Sequence, residues 1–123
     1  MENKKTLVVG ATEKRNRYAY VAAERLVEAQ MEMVLIGRKK GHVLGHEVFV
    51  LQERPPIPGI HTITMYLSAQ NQREYYQYFL SLNPKRVVFN PGAENFELES
   101  MLVERGVQVE NACTLVLLSI GNY

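Results

Sequence analysis

Six cations in two short clusters, Lys14-Arg15-Asn16-Arg17 and Arg38-Lys39-Lys40, are the most concentrated chemistry in this chain of 123 residues. Each cluster follows an apolar run that stops at a glycine: Leu7-Val8-Val9-Gly10 in one case, Met33-Val34-Leu35-Ile36-Gly37 in the other. A glycine lets backbone N–H groups approach an anion closely, and a helix beginning just beyond turns its positive end towards the same place. With the Thr12 hydroxyl between them, such residues suit phosphate. Cations at a helix start are locally unfavourable, since the dipole there prefers acids; a bound polyanion would account for them. Other reactive residues form no comparable pattern. His42, His46 and His61 sit in or beside an irregular middle stretch and read as surface or structural residues. Glu97 and Glu99 lie on differing faces of one helical segment and read as solvated surface. Cys113 is the single cysteine, which excludes an internal disulfide and a cysteine-based zinc cluster.

The clusters need a scaffold, and the hydrophobic pattern supplies one. Thr6–Val9, Met33–Ile36, Thr62–Leu67, Arg86–Phe89 and Val107–Val109 read as five short strands, apolar enough to be buried on both faces. Between the first two, Tyr18, Val21, Ala22, Leu26 and Ala29 recur at helical spacing and predict an amphipathic helix over the sheet. Asn71 with Glu74 resembles a capping box opening a second helix, whose buried stripe is Tyr76, Phe79 and Leu80 and which Asn83-Pro84 ends. Leu98, Met101 and Leu102 mark a third, closed by Gly106. Tyr75, Tyr76 and Tyr78 then belong to packing and helix surface. Glu47–Val50 allows a short extended edge piece, and Arg54-Pro55-Pro56-Ile57-Pro58-Gly59 is a surface connection. Ala112–Ile120 fits a docked helix or a further strand. Alternating strands and helices predict an α/β fold, a doubly wound and mainly parallel five-stranded sheet with helices on both faces. The length suits one domain over residues 1–123.

In a parallel sheet the strand C-termini share one edge, and ligands bind in the crevice outside it. Gly10–Arg17, Gly37–Gly41, Tyr66–Asn71 and Asn90–Asn95 all follow strands and converge there. Lys4-Lys5 and Lys85-Arg86 precede strands, fall at the opposite edge and read as solvated surface. The dinucleotide motif G-x-G-x-x-G is absent after the first strand. At the end of the second, where an NAD site places a carboxylate for the ribose hydroxyls, stand Arg38, Lys39 and Lys40. Cations there fit a ribose bearing a phosphate, which NADP has at its 2′ and coenzyme A at its 3′ position. An NADP enzyme also needs a substrate domain, for which this length leaves little room.

Whole-chain properties narrow the partners. Fourteen Lys and Arg against thirteen Asp and Glu argue against bulk binding of nucleic acid or an anionic membrane. A hydrophobic fraction of 46% argues against disorder. Met1–Lys5 leads into no apolar signal region, no apolar run reaches membrane-spanning length, and the lone cysteine fits a reducing compartment, so a cytoplasmic location is expected.

Gly10-Ala11-Thr12 with Arg17-Tyr18, Gly37 through Gly41, Tyr66-Leu67 and Asn90-Pro91-Gly92-Ala93-Glu94-Asn95 resemble the small single-domain CoA-binding protein family. That family is related to the N-terminal domain of the succinyl-CoA synthetase alpha subunit. The resemblance spans essentially the whole chain and implies a Rossmann-like fold with coenzyme A lying over the strand ends. It implies phosphate contacts from Gly10, Ala11, Thr12 and Arg17, and an adenosine-end contact from Lys39 or Lys40, beside Arg38. Tyr66, Leu67 and Ser68, with Asn90, Pro91 and Gly92, would line the groove. The synthetase's phosphorylated histidine lies in a second domain that has no counterpart here, and none of the three histidines falls on a matching position. The function implied is binding of CoA or acyl-CoA without a catalytic domain, as sensor, carrier or partner subunit. The competing readings are an NADP-dependent reductase remnant, the CoA-binding half of a ligase completed by another chain, and a regulatory module for a different adenine nucleotide. A protein partner or homodimer stays open. Cys113, just beyond the fifth strand, is expected near the pantetheine end; it reads first as a small buried apolar residue, although a thiol there is placed for a mixed disulfide with CoA.

Overall fold

The computed structural model describes residues 1–123. Its centre is β1 (Thr6–Val9), whose four residues are all buried. Parallel to it on one side runs β2 (Met33–Gly37), on the other β5 (Thr62–Met65), with Thr6 opposite both Met33 and Thr62. Leu7 and Val9 pack into one core and Val8 into the other, as alternation across a strand requires. This is why the run is apolar without interruption.

The sheet has seven strands rather than the five expected, in the order β3-β4-β2-β1-β5-β6-β7. Beyond β5 lie β6 (Arg86–Phe89) and β7 (Gln108–Asn111), both parallel. The two extra strands are β3 (Gly41–Val43) and β4 (His46–Val50), a hairpin whose second arm runs parallel to β2. They escape the apolar pattern because they lie near a sheet edge: in β4, Val48 is buried while Glu47 and Phe49 face outward. Their two-residue turn, Leu44-Gly45, has φ of 53° and 81°. Two positive φ angles are what a tight hairpin needs, but Leu is not a residue that announces them. The chain order of the six parallel strands reverses between β1 and β5, which opens a crevice above their carboxyl ends.

Helices cover both faces. On one lie α1 (Tyr18–Glu28) and α5 (Thr114–Ser119), burying Ala19, Ala23, Leu26, Leu117 and Leu118. Alanines let α1 approach closely; Tyr18, expected in its buried stripe, is instead 75% exposed at the strand-end rim. On the other face lie α3 (Tyr76–Ser81) and α4 (Phe96–Glu104), burying Phe79, Leu80, Leu98 and Leu102. Asn95 caps α4 by accepting from the Leu98 N–H at 3.0 Å. The Asn71–Glu74 capping box does not form. That segment is a short α2 (Ala69–Gln72), a 3-10 turn at Arg73–Tyr75, and then α3, with Ser68 ahead of α2. Tyr78, not Tyr76, completes the buried stripe, its hydroxyl donating to the Pro55 carbonyl at 2.6 Å.

At the lower edge, where the strands begin, Arg86 departs from the solvated reading. It is 3% exposed. Its guanidinium donates to Thr62 Oγ1, Glu110 Oε2 and the Tyr123 main-chain oxygen at 3.1, 3.2 and 2.7 Å, and lies over the Tyr123 ring. Lys4 Nζ donates to the same Tyr123 oxygen at 2.7 Å. No helix is long and apolar enough to cross a membrane.

Candidate functional site

Geometry begins with how the first loop is held. The Gly10 and Ala11 N–H groups both donate to the Ile36 carbonyl, at 2.9 and 3.0 Å, so the loop leans across the end of β2 and these two amides are not open to a phosphate. Gly37 permits the crossing: a Cβ there would stand 2.2 Å from the Ala11 carbonyl oxygen. Gly10, at φ +97°, presses against Tyr66, where its Cβ would meet that residue's Cβ at 3.2 Å. Beyond this anchor the Thr12 and Glu13 amides make no backbone hydrogen bond, and Thr12 Oγ1 accepts from the Lys14 N–H at 3.2 Å. Open donors for an anion thus start at Thr12, two residues later than the glycine implied.

One cavity of about 340 Å³ is lined by Gly10, Ala11, Thr12, Glu13 and Lys14 from the first loop, by Arg38, Lys39 and Lys40 from the second, and by Val48 and Leu67. Lys14 of the first cluster and all three cations of the second, more than twenty residues apart in sequence, therefore face one space. Arg38, Lys39, Lys40, Lys14, Arg15 and Arg17 are all exposed. None forms an ion pair: the three in the molecule join Lys5 to Glu32, Arg25 to Glu28 and Arg86 to Glu110. The edge carries unneutralised positive charge held by a rigid scaffold. Glu13, the acid in this loop, is occupied in accepting from the His42 N–H at 2.9 Å, which ties the first loop to the hairpin.

A second cavity, of about 210 Å³, is lined by Tyr18, Tyr66, Asn90, Pro91, Cys113 and Leu115. The Tyr66 hydroxyl is buried here with no hydrogen-bond partner. Burial pushes its pKa up to about 12, so it is a donor at neutral pH; the Thr64 and Thr114 hydroxyls lie near enough to moderate that rise without forming a hydrogen bond to it. Those two hydroxyls are engaged with each other at 2.7 Å. Asn90, 2% exposed, is likewise committed inward: Nδ2 donates to Thr64 Oγ1 and the Met65 carbonyl, and Oδ1 accepts from the Thr114 N–H. It positions the cavity wall and has no amide donor left for a ligand. Behind it, fully buried Gln72 donates to the Leu67 and Ala93 carbonyls, both at 2.8 Å, clamping the turns after β5 and β6 together. Gln72, Thr64 and Thr114 are not legible as site-building residues; for the two threonines a polar side chain inside an apolar run is the one signal, and Gln72, among polar neighbours, gives none.

The structure thus brings Gly10, Ala11, Thr12, Arg38, Lys39, Lys40 and Leu67 to one cavity and Tyr66, Asn90 and Pro91 to the other. Arg17, Ser68 and Gly92 stand exposed on the same rim and line neither. Cys113 is half-buried, directly before α5. The histidines gather nowhere, and no group of three potential metal ligands exists. A hollow of about 730 Å³ lies at the opposite end of the strands beside His61 and Lys85, remote from the crevice.

Fold and crevice together define an α/β domain with a cationic cavity and a more apolar one at the carboxyl ends of its strands. Comparison with known proteins places it more closely. The family described as "CoA binding domain" matches residues 4–119, and the chain belongs to that family. A crystal structure of an uncharacterized protein is 53% identical, covers all of both chains and superposes with a TM-score of 0.95. A hypothetical protein from Pyrococcus horikoshii OT3 is 24% identical over 93% of this chain and 80% of its own, with a TM-score of 0.78. Cell-free ID.343 from Thermus thermophilus is 19% identical over 98% and 91%, with a TM-score of 0.82, and shows the fold alone. No curated protein matches the chain.

Proposed function

We propose that residues 1–123 act as a single Rossmann-like domain that binds coenzyme A or an acyl-CoA, in a sensor, carrier or partner-subunit role rather than through chemistry of its own. Thr12 and the amides after it take the pyrophosphate, with Gly10 and Ala11 shaping the approach and Arg17 at the rim. Arg38, Lys39 and Lys40 take the 3′-phosphate of the adenosine end. Leu67 and Ser68 border the groove, which continues past Tyr66 and Asn90 to Pro91 and Gly92. The observation that carries this reading is the shared cavity of the two cationic loops, with no carboxylate paired to either.

Thermal denaturation with CoA, dephospho-CoA, NADPH and NAD tests it. A ligand at 100 times its Kd adds about 2.7 kcal/mol to native stability. CoA is expected to raise the melting temperature clearly, dephospho-CoA much less, and the two nicotinamide nucleotides little. Equal stabilisation by CoA and dephospho-CoA would remove the role given to Arg38–Lys40; stabilisation by NADPH alone would replace CoA as the ligand.

A further inference from the structure

An open sheet has two free edges, and this one guards them differently. At β3, alternation along the hairpin turns the backbone of His42 outward, and Glu13 Oε2 already accepts its N–H at 2.9 Å. Exposed Lys39 and Lys40 precede the strand, so a second β3 would meet like charge. β7 ends the sheet on the other side without such a cap. The Gln108 and Ala112 N–H groups donate to the Lys85 and Phe89 carbonyls, so the N–H and C=O groups of Val109 and Asn111 point away from the sheet. The strand, Gln108-Val109-Glu110-Asn111, has no proline or lysine to repel a neighbour. Its one charge, Glu110, is engaged with Arg86 at 3.2 Å. Beside this open edge lies α4, tied to it by Asn111 Nδ2 donating to Glu99 Oε1 at 3.0 Å. One turn beyond Glu99 stands Val103, and with Phe96 it forms an outward stripe, 56% and 85% exposed respectively.

From the open edge and the stripe together we infer that β7 is the joint of a homodimer: two copies pair it antiparallel about a two-fold axis, so that their sheets become one. The side chains choose the register. With Val109 on the axis, Val109 exchanges N–H···O=C bonds with its own counterpart, and each Asn111 N–H reaches a Val107 carbonyl across the joint. Gln108 then faces Glu110 of the second copy, an amide beside a carboxylate. An axis through Glu110 would instead set two carboxylates opposite each other, which is destabilising. The chosen axis stands perpendicular to the sheet and runs the two α4 helices antiparallel on one face, which brings Phe96 of one copy alongside Val103 of the other. A patch that complements itself in backbone and side chain selects a second copy over an unrelated strand. Area sets the strength. Phe96, 85% exposed, adds about 150 Å² of apolar surface per copy. With the strand edges the joint comes to about 1,000 Å², the least that a specific interface needs, and the dimer is expected to dissociate in the micromolar range.

Sedimentation velocity of the full chain, from about 5 to about 500 µM, tests the joint. The mass is expected to rise from 14.1 kDa towards twice that value. Over the same range, hydrogen exchange at the Val109 and Asn111 amides is expected to slow by about tenfold, while Gln108, already bonded within the sheet, stays constant. Val109→Pro removes the central donor at a position whose N–H meets only solvent in the monomer, as an edge strand tolerates. Val103→Glu places a charge on the exposed stripe. At about 5 µM both variants are expected to melt within about 2 °C of the parent, and each raises the dimer dissociation constant by about tenfold or more. A chain that stays at 14.1 kDa throughout overturns the proposal. So does a dimer that either variant leaves intact, or one in which Val109 and Asn111 exchange as fast as in the monomer, since the joint then lies elsewhere.

Discussion

Replacing Gly37 by Ala is the sharpest perturbation of the ligand edge. Gly37 has no left-handed φ, so Ala suffers no backbone penalty there and would, on conformational entropy alone, stabilise the protein by about 0.4–1 kcal/mol. Sterics oppose this. The new Cβ would lie 2.2 Å from the Ala11 carbonyl oxygen, against an ordinary contact of 3.4 Å or more, so the first loop must retreat by roughly 1 Å. The acceptor that holds the loop is the Ile36 carbonyl, which takes both the Gly10 and Ala11 N–H groups. Weakening two such bonds costs about 1–3 kcal/mol, and the expected net destabilisation is about 1–2 kcal/mol. For a chain of this size that lowers the melting temperature by several degrees, and the urea midpoint moves without a change in slope. Because the displaced segment includes Thr12, CoA affinity is expected to fall at least as far as stability does, by about tenfold or more. Urea denaturation and calorimetric titration of CoA measure the two effects. A Gly37→Ala protein as stable as its parent, with undiminished affinity, would refute the idea that this crossing sets the position of the loop.

Two further outcomes follow from the same geometry. Asn90→Ala should destabilise by about 1–3 kcal/mol, because it strands the buried Thr114 N–H, while the Met65 carbonyl keeps the main-chain N–H of residue 90; guanidinium unfolding measures it, and a loss below about 0.5 kcal/mol would mean that water replaces the amide. Burial holds the hydroxyls of Tyr66 and Tyr78 at pKa values of about 12 and that of Tyr123 above the ordinary value. The unfolded chain gives up these protons near pH 10 while the native one keeps them, so the stability they contribute is intact below pH 10 and is lost as pH rises to about 12. Denaturant unfolding across that range, with phenolate absorbance as the second signal, should show falling stability; a flat profile would contradict the assigned burial.

What could be read from the residues and what could not divides along physical lines. Strands buried on both faces leave uninterrupted apolar runs, so β1, β2, β5 and β6 are visible locally. The cationic clusters are equally local, each lying directly behind its glycine. Of the β3–β4 hairpin only the extended edge piece at Glu47–Val50 shows, because its edge position dilutes the pattern and its turn relies on Leu44 in a left-handed conformation. Arg86 misleads for another reason. Burying its charge depends on Glu110 and Tyr123, distant in sequence and invisible to any window around it. Asn90 lies between: its neighbours Pro91 and Gly92 mark a turn correctly, but the direction of its amide depends on Thr64 and Thr114 in two other elements.

The meeting of Lys4, Arg86 and Tyr123 has a bearing on how the molecule comes apart. The Lys4 and Arg86 side chains converge on one main-chain oxygen, and Lys4 and Tyr123 are 119 positions apart in the chain. Stretches far apart in sequence are here joined by the same bonds. Peeling α5 away from the sheet would strip Arg86 of its acceptor and Thr6 of the Tyr123 hydroxyl at 2.7 Å, loosening β1 at its start. Partial opening from that side is thereby linked to the centre of the sheet, so amide exchange there should approach the rate set by global unfolding. Local motion is left to the opposite rim, where the strands end.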